Sequence, residues 1–375
     1  NGAKHRQGTN LRRLATKVGE KCGLALLLAP LPLEPARADA PVDSSAAAGG
    51  LEWAVQPLLS WSAEQGVGAG LRVYLIGPPP ALSRVQAQAF AAQHDFWSVQ
   101  LAYRSYRFAG TRVTMRGSLL WEEDGSSRFF GVGNDSALGD QVRFGRNRFA
   151  IALEPGRRFG AGWETRLRLK LASEALDFDP DPTRIGGRDF ASGETLSSVI
   201  AAVLQHDRRD VEWAPTRGSL ARLELGRALG PDLSYWRWRA EVRAYHAIFS
   251  QLVLAGRVEI DALVGDDLPF YVMPIYGGAT YGRGQFAGRF RDLVRRGLAA
   301  EIRWDPLPRA GLVAFVDAGE VAPGAFAAAP GPIHTGAGLG LRFTPGPPGL
   351  IARLDFGYGG GTEGLHIYLN FGHAF

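Results

Sequence analysis

Apolar and charged residues alternate along most of the chain beyond position 51. In residues 236–244 one face carries charges and the other carries tryptophan, alanine and valine; the charged positions are Arg237, Arg239, Glu241 and Arg243. Residues 163–171 and 254–262 repeat this arrangement. A period of two residues is typical of a β-strand, whose side chains point alternately to the two faces of a sheet. The alternation therefore predicts an all-β protein.

The pattern predicts about sixteen strands, and an even number is typical of closed bacterial membrane barrels. The predicted spans are 52–61, 67–76, 81–91, 94–108, 111–123, 141–153, 160–172, 195–206, 217–228, 234–248, 251–264, 292–305, 310–319, 336–344, 350–359 and 365–375. The fold that we expect is a transmembrane antiparallel β-barrel.

A soluble sandwich also alternates apolar and polar faces, so one strand alone does not identify a membrane barrel. Two features that recur along the chain favour the barrel. The charged faces mix both signs, as in a polar lumen, and tryptophans lie near strand ends, as in interfacial girdles. A propeller stays open as an alternative, although the sequence shows no repeat of blade length.

Composition and charge agree with a sheet protein and argue against binding of nucleic acid. The chain has 49 glycines, 23 prolines and nine tryptophans, which makes long helices unlikely and frequent turns expected. Its net charge is +5, but residues 1–40 carry +4 of this excess. The remainder is nearly neutral, so no basic surface for nucleic acid is indicated.

The first forty residues have the layout of a secretory signal peptide. Basic residues precede an apolar run at 23–33, and the small-x-small sequence Ala-Asp-Ala follows at 38–40. We predict a signal peptide at 1–40, a linker at 41–50 and a barrel domain at 51–375. A disordered N-terminal tail is the alternative.

The stretch between predicted strands 11 and 12 is a glycine-rich loop with Arg283 between Gly282 and Gly284. Glycine allows backbone conformations closed to other residues, so such a loop can carry an arginine deep into a lumen. The guanidinium group suits a carboxylate, ideally through two parallel hydrogen bonds. Asp317 is the first candidate partner and Glu301 the second. The alternative places Arg283 in solvent at the cell surface.

Three motifs in this order resemble the bacterial surface antigen superfamily, which includes outer-membrane β-barrel assembly proteins and two-partner secretion transporters. They are FFGVGN at 129–134, HDRRD with PTRG at 206–218, and the loop at 277–290. The resemblance implies an outer-membrane barrel with an inward-folded loop, whose tip would be Arg283, Gly284 and Phe286. Gln285 stands where that family usually has the aromatic residue, and Phe286 follows one position later.

The last predicted strand also resembles that family. Residues 366–375 alternate and end in an aromatic residue, like the C-terminal signal that the barrel insertion machinery recognises. Phe371 and Phe375 are the residues assigned to this export signal. The charged residues at 206–210 are expected to pair with one another at the barrel rim.

The resemblance implies outer-membrane protein assembly or insertion, or polypeptide translocation. A passive pore or structural barrel, plugged by its own loop, is the alternative. Polypeptide-transport-associated domains usually precede the barrel in that family, and residues 41–50 are too few for one. Expected partners are outer-membrane lipid and either polypeptide substrates or a separate periplasmic protein.

Enzymatic chemistry finds little support in the sequence. There is no Gly-x-Ser-x-Gly motif, and the histidines after the leader are scattered without ligand spacing. We predict no catalytic residue, cofactor or metal. Two alternatives stay open: a lipase assembled from separate strands, and calcium bound by Asp177, Asp179 and Asp181, against which a solvated loop is the simpler interpretation.

Pro57 lies inside the first predicted strand. Proline removes a ladder donor and is found in sheets at edges or irregularities. The position indicates either a weak seam between the first and last strands, which would allow lateral opening, or a local bulge.

Overall fold

The computed structural model describes residues 52–62, 65–77, 83–178, 193–231, 233–325, 327, 331–344, 351–360 and 364–375. The predicted signal peptide and linker lie outside the described residues. So do Asp179 and Asp181, two of the three residues of the calcium alternative.

Sixteen strands form one antiparallel sheet, which confirms the predicted number and fold class. Its strands are β1 Glu52–Ser62, β2 Gly66–Ile76, β3 Ser83–Ala92, β4 Phe96–Ser105, β5 Val113–Phe129, β6 Val142–Phe159, β7 Trp163–Phe178, β8 Gly193–Asp207, β9 Gly218–Leu229, β10 Ser234–Phe249, β11 Leu252–Val264, β14 Val294–Leu307, β15 Ala310–Ala322, β16 His334–Phe343, β17 Ala352–Gly359 and β18 Gly364–Phe371. Two short strands, β12 Ile275–Tyr276 and β13 Phe290–Arg291, pair with each other inside the connection between β11 and β14.

The sheet rolls with its charged face inward. Asp261 on β11 is 1% exposed and accepts hydrogen bonds from Arg237 and Arg239 of β10. Large apolar side chains cover the outer face instead, as with Val242 and Val258, which are 51% and 56% exposed and directly opposite each other. An apolar exterior around a polar interior is the arrangement that a bilayer requires of a barrel.

The longest connections between strands all lie at one end of the barrel. At one end β10 joins β11, and β14 joins β15, through two residues each. At the other end β5 joins β6 through residues 130–141, and β11 joins β14 through 265–293. Outer-membrane barrels have short periplasmic turns and longer extracellular loops, which orients the chain. Among the described residues no helix is long and apolar enough to cross a membrane.

The seam between β1 and β18 differs from every other strand boundary. The sheet order begins at β1 and ends at β18, and within the described residues no backbone ladder joins these two strands. They meet through side chains, since Phe371 packs against the cluster of Leu58, Phe90 and Phe96. Pro57 pairs with Leu71 in a continuous β1–β2 register, so the bulge alternative is wrong on that side of the strand.

The last strand is shorter than predicted. β18 ends at Phe371, and the backbone then turns at Gly372, whose φ is 80°. Phe375 is 6% exposed and packs among Tyr245, Ala255 and Ala299. Phe375 therefore lies outside the last strand, in which the sequence placed it. The physical reason is the positive φ at glycine, which turns the segment into the lumen, where arginine guanidinium groups meet the aromatic ring.

Candidate functional site

The connection between β11 and β14 folds back into the barrel and ends in a tip around Arg283. Gly282 and Gly284 flank this arginine with φ values of 110° and 100°, which only glycine adopts readily. The side chain of Arg283 is 1% exposed. The short β12–β13 pair closes the neck of the loop, so the tip hangs from a hydrogen-bonded stem.

Asp317 of β15 holds the tip arginine through both carboxylate oxygens. Nε of Arg283 donates to Oδ2 at 2.9 Å, and Nη2 donates to Oδ1 at 2.8 Å. The backbone N–H of Arg283 donates to the same Oδ2 at 2.9 Å. This bidentate pair, with a third bond from the main chain, fixes the side chain and the backbone of the tip together.

Two further carboxylates complete the surroundings of the guanidinium. Nη1 of Arg283 donates to Oε1 of Glu301 at 2.6 Å and to Oδ2 of Asp355 at 3.2 Å. The ring of Phe315 lies 3.6 Å from the guanidinium carbon, within cation–π distance. The structure thus brings together Arg283, Asp317 and Glu301, and it adds Asp355.

The excess negative charge is matched by arginines on the same wall. Arg303 Nε donates to Oε2 of Glu301 at 2.8 Å, and Arg342 Nη1 donates to Oδ1 of Asp355 at 2.6 Å. Buried ions are tolerated when they are paired and hydrogen-bonded. Asp355 lies two residues after Arg353 in β17, on the same lumen-facing side of the strand. The alternation predicts that such a residue faces the lumen, but not that it meets Arg283.

The loop tip lies directly against the backbone of β16 and β17, where glycines leave room for it. A Cβ at Gly336 would collide with the carbonyl oxygen of Arg283, and one at Gly359 would collide with that of Gly284. Glycine inside a strand marks such a close approach of another backbone. Gly336 of β16 and Gly359 of β17 therefore make room for the loop tip, a purpose that their spacing in the sequence did not indicate.

Phe286 and Gln285 take different places from those of an aromatic tip. The Phe286 ring stacks on Phe130 at 6.1 Å between centroids and meets His366 edge-on at 4.5 Å. Gln285 is 2% exposed, and its Nε2 lies 3.4 Å from the carbonyl oxygen of Thr335. Phe286 thus contacts the 129–134 motif through Phe130.

Tyr368 links the loop tip to the last strand. Its hydroxyl accepts a hydrogen bond from the N–H of Gly284 at 3.0 Å and donates one to the carbonyl of Gln285 at 2.7 Å. Since Tyr368 lies in β18, the tip is bonded to one side of the seam. The sequence did not indicate this contact, because a tyrosine hydroxyl that hydrogen-bonds to a loop backbone stands at no characteristic spacing from that loop.

The 129–134 motif holds the neck of the loop. The N–H of Gly133 donates to the carbonyl of Arg291 at 2.8 Å, and Arg289 donates to both Oγ and the carbonyl of Ser136. Asn134 Oδ1 accepts from the N–H of Val321 in β15 at 2.9 Å. The motif therefore connects the inward loop to the barrel wall.

The 206–218 motif forms the ten-residue connection 208–217 between β8 and β9, at the same end of the barrel as the two-residue turns. Arg209 pairs with Asp207, as expected for charges that pair with one another. Asp210 accepts hydrogen bonds from the backbone of Val211, Thr216 and Arg217. Within the described part of the chain, no group of His, Cys, Asp and Glu could hold a metal ion.

A family model described as the Omp85 superfamily domain matches residues 83–375. The chain belongs to the Omp85 superfamily. It is an outer-membrane β-barrel of a family involved in protein transport and assembly, which confirms the predicted family and location. A comparison with curated proteins gave no match.

Solved structures with a similar fold are other barrels of this kind. BamA from Haemophilus ducreyi, in a form lacking POTRA domains 1–3, superposes with a TM-score of 0.59 at 14% identity, over 86% of this chain and 69% of that one. CdiB from Acinetobacter baumannii gives 0.56 at 14% identity, and CdiB from Escherichia coli gives 0.58 at 12%. Each comparison covers 86% of this chain, but only 59% and 62% of the two CdiB chains.

Proposed function

We propose that this barrel assembles or translocates polypeptides in the outer membrane, and that the seam between β1 and β18 receives the polypeptide. The observation that carries the proposal is that, in the part of the chain that the structure describes, no backbone ladder joins these two strands, whereas a ladder joins every other pair of neighbouring strands in the sheet. An edge strand presents unpaired N–H and C=O groups, which can add a strand from another chain.

The chemistry of β1 supports an edge that opens. Pro57 has no backbone N–H to donate, and proline within a sheet is found at edge strands. The contact between the terminal strands is a small apolar cluster around Leu58 and Phe371. Such side-chain packing is lost and regained more easily than a cooperative ladder of hydrogen bonds, because each contact contributes little by itself.

The inward loop would support the opposite side of the seam. Its tip, Arg283 with Gly284, is bonded to Asp317 on β15 and to Tyr368 on β18. The loop thereby braces the last strand against the adjoining wall while β1 is free to move. On this proposal Arg283, Asp317 and Glu301 are structural anchors of the gate, and the chain needs no catalytic residue or cofactor.

Disulfide locking of the seam tests this proposal. One cysteine is introduced at Leu58 and one at each of 367–371 in turn, with Cys22 replaced by serine. Assembly of a client barrel in cells depleted of the wild-type protein is the readout. We expect oxidation to stop assembly and reduction to restore it.

The matched control is a pair of cysteines at Val55 and Val73, which already face each other across the β1–β2 ladder. Locking that ladder should leave assembly unchanged. Full activity with a locked seam, verified by gel mobility, would refute the proposal.

A passive pore plugged by its loop is the second candidate, and the burial of the tip inside the lumen favours it. Deletion of 277–290 should then raise the conductance in planar bilayers while a locked seam has no effect in cells. If the seam lock abolishes assembly, the passive pore is excluded whatever the conductance. The partners on the favoured proposal are polypeptide substrates, with or without a separate periplasmic protein.

A further inference from the structure

The outer wall carries an apolar groove near the periplasmic end of β14, β15 and β16, with a volume of about 860 Å³. Ala314 of β15 forms part of its floor and lies between Ile302 of β14 and Leu339 of β16, its direct partners in the sheet. Leu339 is 67% exposed, so it stands out as one side of the groove. The opposite side is formed by Phe249 and Trp304, which are 68% and 46% exposed.

The groove lies at the depth of the periplasmic leaflet. It includes the turn at 250–251, which joins β10 to β11 at the short-turn end of the barrel. Trp304 lies near the same end, and tryptophan prefers the boundary between acyl chains and headgroups. The depression therefore runs from the interface into the hydrocarbon region.

We infer that this groove binds one diacyl phospholipid of the periplasmic leaflet, with an acyl chain over Ala314 and the phosphate near Arg309. The chain belongs to an outer-membrane family, so lipid is what faces this wall. A flat wall contacts an acyl chain on one side only, whereas a groove contacts it on several, and these dispersion contacts add up. Arg309 is exposed in the 308–309 turn, which joins β14 to β15 at the same end of the barrel as residues 250–251, and it supplies a positive charge there.

The inference is separate from the proposed function, because it concerns the lipid-facing wall and requires no movement of the seam. The charge of Arg309 also distinguishes a phospholipid from other molecules that could occupy the groove. An apolar segment of a partner protein would fit the groove but would gain nothing from Arg309 unless it carried an acidic residue at the interface.

Photolabelling tests the inference on the full barrel refolded into nanodiscs. The probe is a phosphatidylethanolamine with a diazirine on one acyl chain, and labelled positions are mapped by mass spectrometry. We expect more label on 312–314 and 339–341 than on 200–204, an apolar outward stretch of β8. The variant Ala314→Trp fills the groove and should lower groove labelling roughly threefold, the scale of one packing contact inside a membrane.

The matched control is Ala202→Trp, which adds the same side chain to an exposed outward position of β8. Heat-modifiable gel mobility verifies folding of both variants, and Ala314→Leu replaces Ala314→Trp should the larger side chain prevent folding. Equal labelling around the barrel, or labelling that Ala314→Trp leaves unchanged, would show only ordinary surrounding lipid and overturn the site.

The headgroup contact has its own test. A diacylglycerol with the same diazirine lacks the phosphate, so it should label the groove less than the phospholipid does, and Arg309→Gln should remove that difference. Equal labelling by both probes in the wild-type protein would overturn the assignment of a phospholipid. Protection of 312–314 by a cross-linked protein in native outer membranes would also overturn it, in favour of a protein partner.

Discussion

At the scale of single residues, the molecule depends on one guanidinium group that three carboxylates surround. Arg283 is fully desolvated, and so are Glu301 and Asp355. Removing the cation of a buried ion network leaves its carboxylates charged and with too few counter-charges, which costs far more than the net stability of the intact network. The network therefore determines where the loop tip lies, whether or not it adds much stability overall.

Replacing Arg283 with alanine should lower the free energy of unfolding by about 3–5 kcal/mol, because Asp317, Glu301 and Asp355 lose their shared cation. Urea unfolding of the refolded barrel measures the change. Arg112→Ala, at an exposed position outside the lumen, should change it by less than about 0.5 kcal/mol. An equal small effect from both substitutions would contradict the geometry of the network.

The periplasmic turn gives a prediction of pH dependence. Partial burial alone would raise the pKa of Asp210, but hydrogen bonds from Thr216, Arg217 and Val211 outweigh it and lower the pKa below its ordinary value. Because the pKa of Asp210 is lower in the folded turn than in the unfolded chain, the ionised carboxylate stabilises the turn at pH values above the ordinary carboxyl pKa of ~4. This stability is lost as the pH falls through the folded pKa. Amide hydrogen exchange at 211–217, corrected for intrinsic rates, should therefore accelerate as the pH falls below ~4. Asp210→Asn should remove the pH dependence of exchange. A wild-type turn whose exchange does not respond to acid would contradict the stabilising role of the Asp210 carboxylate.

At the scale of elements, the inward loop and the β16–β17 wall fit each other through glycines. Gly284 contacts Gly357 and Gly359 so closely that no side chain fits between the two backbones. The loop is thus an extra layer on the inner face of the sheet, linked to β15 by ions and to β18 by Tyr368. Displacing it should affect these elements together.

Gly336→Ala should displace the loop tip, since the new methyl group would overlap the carbonyl of Arg283. Overpacking of this kind costs about 1–3 kcal/mol. Limited proteolysis with trypsin reports the displacement as faster cleavage after Arg283. Gly256→Ala is the matched control, because nothing lies within 4 Å of a Cβ there, and it should leave cleavage slow. Slow cleavage in both variants would mean that the tip does not rest on this wall.

The sequence predicted the elements well for a physical reason. A barrel strand must keep charges inside and apolar groups outside at every second residue, so the faces of β10 and β11 could be assigned from Arg237 and Val258 alone. It did not predict Asp355, Tyr368 or the turn at Gly372. These depend on which strands face each other across the lumen, and neither alternation nor local spacing contains that information.

At the scale of the whole molecule, the barrel is a sheet of sixteen strands, and its first and last strands meet without a ladder in the described residues. The Arg283 network and the glycine contacts stiffen the wall from β15 to β18. The first strand carries a proline, and in the described residues it meets β18 through side chains. A cylinder built this way is firm on one side of its seam and weak on the other. This asymmetry is the basis of the proposed role in polypeptide assembly or translocation.

Hydrogen–deuterium exchange on the refolded barrel, resolved to single strands, tests the unpaired seam most directly. Amides of β1 and β18 that point toward the seam should exchange much faster than those of β9 and β10, whose ladder is continuous. Locking the seam with a disulfide should slow them to the rate of the paired strands. Equal protection of β1, β18 and the β9–β10 pair before locking would show a closed ladder and contradict the account.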